Sequence, residues 1–320
     1  MSDLNLRPAR APAHFSREEI MAIDPAQVAD AMAAALAMVS RGAAVAPVRA
    51  HIDLGDGAGT FLISGALPDL DLLSVKVINV RPQNPARGLE RLQGSLTVFE
   101  SSTGLPLATL DARAATEVRT AACSAVSLRL LARSDATVLT VFGTGPQAVA
   151  HLRAMTRERE FGEIRIVGRN QDAARKLAAQ HAGAKATSAD EALSGAHVVV
   201  TATNSTSALF PSAAVDPGTH IAMVGSGSAA ACEIEPQLLA RAAAIRVDHR
   251  PTCLVESGEI VRAIRAGLVD EAAVRELGEV VLGVAPGRTS PDDITVYKSV
   301  GNGTQDAALA ALLLGIGSRL

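Results

Sequence analysis

The chain has 320 residues, 48% of them hydrophobic but only 2% aromatic, and a formal net charge of −3. That supports a sizeable core, and the length suits two domains better than one. The near-neutral charge and scarce aromatics exclude the basic patch and stacking platform of a nucleic-acid binder, and no run reaches the ~18 apolar residues of a membrane span, so neither partner is expected.

In chain order, Ser16 to Glu19 reads as a capping box opening a short helix. A second helix follows Asp24 and Pro25 and ends at Gly42. Short strands are predicted at 48–54, 60–64, 74–80, 94–100 and 107–111, with Ser102, Thr103 and Gly104 as a hairpin turn. This first part reads as α+β with a largely hairpin-built sheet. An Ala-rich helix over 114–131 comes next. Strands at 137–142, 164–167, 197–203, 220–224 and 245–247 then alternate with helices, as in a doubly wound parallel sheet of the α/β class. A strand at 296–299 and a helix at 305–314 close the pattern. The predicted domains are 1–120, with 296–320 returning to it, and a Rossmann-type domain over 121–295.

The strand at 137–142 runs into Gly143, Thr144, Gly145, Pro146, Gln147 and Ala148. Gly143 permits a tight turn, Gly145 lets backbone approach a pyrophosphate, and Ala148 allows close helix packing. Pro146 costs little in the first helical turn, whose N–H groups and dipole attract an anion. The same glycines would also serve an ordinary strand–helix turn. At the end of the second strand stand Gly168, Arg169 and Asn170, where an acid would bind the ribose of NAD. No acid is there. Arg169 can instead pair with a 2′-phosphate, which favours NADPH with NADH possible, or it is an exposed arginine opening a helix.

Cys123, Cys232 and Cys253 are odd in number and far apart, which argues against a disulfide framework or zinc site and fits a reducing, cytoplasmic setting. His51, His151 and His220 have no metal-ligand spacing and read as structural or surface residues.

Several segments, in order, resemble the ornithine cyclodeaminase/μ-crystallin family over nearly the whole chain. They are Pro47-Val48-Arg49, Val75-Lys76, Asn84 to Leu89, Gln93-Gly94, Thr116 to Ala122 with Arg119, Thr201 to Ser205, Val224-Gly225, Glu256 to Glu259, and Tyr297 to Gly301. The resemblance implies a homodimer whose first domain supplies the dimer interface and a pocket for a small α-amino or α-imino acid beside the nicotinamide. It places Arg49, Lys76, Arg119 and Glu256 at the substrate. It places Arg119, Thr120, Thr203, Asn204, Val224 and Ser299 at the cofactor, with the glycine-rich turn.

Chemistry agrees with that assignment. An arginine clamps a carboxylate through two parallel hydrogen bonds, and Arg119 in a small-residue helix needs an anionic partner if buried. Lys76, in an apolar strand, is a candidate proton donor of lowered pKa, or else lies on a wet sheet face. Cyclodeaminases of the family carry an Asp just after the Val-Gly of the fourth Rossmann strand. Here Ser226, Gly227 and Ser228 follow Val224 and Gly225, and Ile63, Ser64 and Gly65 precede Lys76, so a diamino acid would lack counter-charges. The expectation is an NAD(P)H-dependent reductase of cyclic imino acids, Δ1-pyrroline-2-carboxylate or its six-membered homologue. The alternatives are a cyclodeaminase or alanine dehydrogenase, and a non-catalytic NADP-dependent binding protein.

Overall fold

The computed structural model describes residues 11–225 and 227–320. The first unit contains β1 (Ala13–Phe15), α1 (Arg17–Ala22), α2 (Pro25–Ser40), β2 (Ala50–Gly55), β3 (Ala58–Leu67), β4 (Leu72–Val80), β5 (Leu92–Glu100) and β6 (Pro106–Asp111). Its strands form one sheet in the order β1-β6-β5-β4-β3-β2, antiparallel except for the parallel pair β1–β6. The Ser16 capping box forms, and Asp24 caps α2 with Pro25 in its first turn. Gly104 makes the hairpin turn at φ +75°.

The long helix α3 (Ala112–Leu131) follows, capped by Asp111. The second unit is then β7 (Val138–Phe142), α4 (Pro146–Glu158), β8 (Glu163–Val167), α5 (Gln171–Ala178), β9 (Ala184–Ala186), α6 (Ala189–Ala192), β10 (Val198–Thr201), β11 (His220–Met223), α7 (Pro236–Arg241), β12 (Ala244–Val247), α8 (Arg250–Glu256), α9 (Gly258–Arg265), β13 (Val274–Glu276), α10 (Leu277–Val281) and β14 (Thr295–Lys298). All eight strands are parallel, in the order β13-β12-β14-β11-β10-β7-β8-β9. The protein is thus α/β, a Rossmann-type doubly wound sheet beside an α+β unit. β7, β10, β11 and β14 are covered on both faces, which is why they read as nearly continuous apolar runs.

Two expectations about the domains need correction. The strand at 296–299 was assigned to the first unit, but β14 lies inside the parallel sheet between β12 and β11. Val296 and Tyr297 are fully buried there. Only the last helix, α11 (Gly303–Leu313), crosses back, to pack on α2, β3 and β4. The boundary near 120 falls within α3, which is buried along most of its length and packs on elements of both units. Its alanines let both layers approach closely.

Glycines set the crossing of α11 over the sheet. A Cβ on Gly65 of β3 would collide with the backbone of Gly303 and Thr304, and one on Gly303 would collide with Ser64 and Gly65. Ser74 Oγ donates to the Gly303 carbonyl at 2.7 Å and locks the approach. This crossing brings the first turn of α11 over the strand that carries Lys76.

Candidate active site

A cavity of about 710 Å³ opens between the two units. One wall is the six-stranded sheet, with Arg49, His51, Phe61, Lys76 and Ile78. The other holds Gly145, Pro146, Gln147, Thr203, Asn204, Val224, Gly225 and Ser299. α3 contributes Thr116, Arg119 and Thr120.

The dinucleotide end begins at β7. Gly143 has φ +127°, and its N–H donates to Val167 O at 2.8 Å; a Cβ there would run into the Ala202 carbonyl. A Cβ on Gly168 would lie 2.7 Å from the Thr144 methyl, so the turn and the end of β8 touch. Gly145 is the N-cap of α4 and supplies no side-chain cap, and the space its Cβ would occupy is open. The helix therefore presents uncapped N–H groups beside an open cradle, as a bound pyrophosphate needs. Gln147 Oε1 is buried without a protein partner at the same place. These residues fit a dinucleotide. Arg169 is exposed at the carboxyl end of β8, outside the cavity wall. Asn170 spends its side chain on capping α5, accepting from Ala173 N at 3.1 Å.

At the other end, Arg49, Lys76 and Arg119 come together. Lys76 is fully buried, not on a wet face, and donates to Asp306 Oδ1 at 2.8 Å and Thr116 Oγ1 at 3.2 Å. Burial pushes its ammonium down to about 8; Asp306 pulls the other way, and Arg119 and Arg49 lower it further. Arg119, also buried, donates to Gln305 Oε1 at 2.9 Å and holds its Nε 3.6 Å from Asp306 Oδ1. Arg49 donates to Gly227 O at 2.9 Å and Val300 O at 3.2 Å, and its guanidinium lies 4.6 Å from the centre of the Phe61 ring. Glu256 forms an ion pair with Arg49 and lies outside the cavity wall, so it anchors the arginine from behind.

Three acids that the sequence reading missed organise this site. Asp306 sits in α11 and serves both Lys76 and Arg119. Asp248, after β12, accepts from Ser299 Oγ at 2.8 Å, from Gly301 N at 2.7 Å and from Gln305 Nε2 at 3.2 Å. That last bond turns Gln305 Oε1 toward Arg119. Glu233 accepts from Thr201, Thr203 and Gly225. A charged residue inside the Ala/Leu run of α11 was the one available signal, since charges are rarely buried without a partner. His51, expected to be structural or at the surface, is exposed, lines the cavity and stacks on Phe61 at 4.3 Å between ring centres. His151 and His220 are fully buried, bonded to Ser124 Oγ at 2.9 Å and Ser127 Oγ at 3.0 Å. Thr120 Oγ1 donates to Thr116 O at 2.6 Å, so its hydroxyl is already committed.

Among the described residues no group of His, Cys, Asp and Glu could hold a metal ion, and no helix is long and apolar enough to cross a membrane. Cys123, Cys232 and Cys253 are free and buried.

The fold and cavity define a protein of the Rossmann class, with a cavity at the carboxyl ends of its parallel strands that Arg49, Lys76 and Arg119 line. The sequence profile of the ornithine cyclodeaminase/mu-crystallin family matches residues 15–314, and the chain belongs to that family. An uncharacterised cyclodeaminase of Sinorhizobium fredii is 38% identical over 82% of this chain and 82% of its own length. The Δ1-pyrroline-2-carboxylate reductase of Thermococcus litoralis, solved with NADH and L-proline, superposes with a TM-score of 0.89 at 29% identity, covering 95% of this chain and 98% of that one. The iminosuccinate reductase of Paracoccus denitrificans, solved with NAD+, gives 0.87 at 29% identity, covering 96% and 98%.

Proposed function

We propose that the protein is an NAD(P)H-dependent reductase of cyclic α-imino acids, converting Δ1-pyrroline-2-carboxylate to L-proline and its six-membered homologue to L-pipecolate. The observation that carries this reading is the cluster of charges at the head of the cavity. Arg49, Lys76 and Arg119 converge there and form ion pairs with two carboxylates, Asp306 and Glu256. Three convergent cations suit the carboxylate of a bound substrate. Arg49 and Arg119 hold the carboxylate, and Lys76 holds a proton within reach of the imine nitrogen. The reduced nicotinamide, bound along Gly143 to Gln147, supplies the hydride. Asp306 keeps Lys76 charged despite burial and turns its Nζ to one place. The second, apolar part of the floor, Phe61 and Ile78, suits a hydrocarbon ring.

A diamino acid fits less well. A side chain on Gly227 would displace the Arg49 guanidinium, and Gly227 and Ser228 carry no charge to meet a second ammonium. The NADPH preference follows from Arg169 and the lack of an acid at the end of β8. The homodimer would use the outer face of the six-stranded sheet, where Ile52, Leu62 and Val75 are 49%, 41% and 38% exposed.

The test is purified protein with NADPH or NADH and chemically prepared Δ1-pyrroline-2-carboxylate. Loss of reduced-nicotinamide absorbance with L-proline as product supports the reading. Activity confined to iminosuccinate, or ammonia release from ornithine, would overturn it.

A further inference from the structure

Glu233 lies between β11 and α7 and is fully buried. Its carboxylate accepts four hydrogen bonds among the described residues. Oε2 takes Thr201 Oγ1 at 2.8 Å and Gly225 N at 2.9 Å; Oε1 takes Thr203 N and Thr203 Oγ1, both at 2.7 Å. Its own N–H is fixed by Glu259 Oε1 at 2.8 Å, and its carbonyl accepts from Leu209 N at 2.9 Å. The carboxylate is wedged in place: a Cβ on Gly225 would strike both Glu233 Oε1 and the Thr203 carbonyl.

The two loops joined in this way follow the neighbouring strands β10 and β11. They place Ala202, Thr203, Asn204, Val224 and Gly225 on the cavity wall. β10 is also the neighbour of β7, which carries the pyrophosphate turn, whereas β8 and Arg169 lie on the other side of β7. A dinucleotide that crosses the sheet at the β7 turn, its adenosine over β8, puts its nicotinamide over β10 and β11. The first loop supplies three of these wall residues and the second two, and the Glu233 carboxylate bonds to both loops.

We propose that Glu233 is a positioning residue for the nicotinamide half of the cofactor: by accepting from both loops at once, its carboxylate holds the walls of the ring's seat at a fixed spacing. The proposal rests on the reading of this cavity as a nicotinamide dinucleotide site. A carboxylate is the group for the task, because it has two acceptor oxygens and no donor. Glutamine keeps the shape but turns an N–H group toward the Thr203 or Gly225 N–H, so one loop must move away.

The experiment compares ligands that differ only in the nicotinamide. Calorimetry measures NADH against ADP-ribose, and NADPH against 2′-phospho-ADP-ribose, on the full chain and on Glu233→Gln. The expected result is a tenfold or greater loss of affinity for the reduced cofactors, with the nicotinamide-free ligands within about twofold of the unchanged chain. In turnover, the cofactor KM rises and kcat falls. Should Glu233→Gln not fold, Thr201→Val removes one of the four donors from a residue off the cavity wall and is expected to give a smaller loss of the same selectivity. An equal loss for both kinds of ligand, or no loss, overturns the proposal and leaves the cofactor reading intact. An unchanged chain that binds none of the four ligands overturns both, and one that binds them but reduces no imine overturns only the substrate reading.

Discussion

Lys76 Nζ donates to Asp306 Oδ1 at 2.8 Å, with neither side chain exposed. Because burial holds Lys76 near 8, imine reduction, which uses the ammonium, is expected to be flat below that pH and to fall about tenfold per pH unit above it. Oxidation of L-proline uses the free amine and should rise through the same range. Asp306→Asn removes the group that raises the lysine, so the limb of the reductive profile moves to lower pH. Breaking a buried pair also costs about 3 kcal/mol of stability or more, readable by denaturant unfolding. A pH profile indifferent to Asp306→Asn would remove Lys76 from the proton-donor role.

Gly301 offers a way to move Arg119 without deleting it. It has φ +82°, and a Cβ there would strike the Arg119 guanidinium, the far end of a flexible side chain. Gly301→Ala is expected to fold with a penalty of about 1 kcal/mol from the left-handed backbone. It should raise the imino-acid KM tenfold or more while leaving the cofactor KM near its original value. Steady-state kinetics with each substrate varied in turn separates the two effects.

Cofactor choice should turn on Arg169. It is exposed at the carboxyl end of β8, beside the contact of Gly168 with Thr144. Arg169→Ala is expected to weaken NADPH tenfold or more and leave NADH unchanged, since a 2′-phosphate would lose its bidentate partner. Equal affinities for NADPH before and after the change would assign the arginine to the solvent.

Acid should destabilise the fold through two buried histidines. Burial pushes His151 down to about 4 and His220 to about 3, from an ordinary 6.5. Their folded forms stay neutral while the unfolded chain takes up protons below pH 6.5. The stabilisation is thus complete above pH 6.5 and is lost as pH falls toward 4 and 3. At about 1.4 kcal/mol for each pH unit of that window, each histidine accounts for on the order of 3 to 5 kcal/mol. Unfolding free energies measured across pH 4 to 7 should fall accordingly, and less steeply in His151→Gln.

The pyrophosphate turn was legible because its chemistry is local: Gly143, Gly145 and Pro146 act within one strand–turn–helix and leave their spacing in the chain. The alternation of apolar runs with helices likewise announced the parallel sheet. The acids were not legible for the opposite reason. Asp306 meets Lys76 across 230 positions, and Asp248 meets Gln305 across 57, so each reads locally as an ordinary helix or loop acid. β14 was misassigned because a four-residue apolar strand carries no mark of the sheet it enters. Asn170, expected at the cofactor from its position after the second strand, caps α5 with its side chain in the structure.

The crossing of α11 over β3 also has a consequence for biosynthesis. Translation at 5 to 20 residues per second separates the emergence of Lys76 from that of Asp306 by roughly 10 to 50 s. For that interval the nascent strand holds an ammonium whose counter-charge has not been made. Closing the sheet over it would bury an unpaired ion, which disfavours full packing of the amino-terminal layer before α11 is available. The Lys76–Asp306 pair therefore forms only once the second unit has been synthesised.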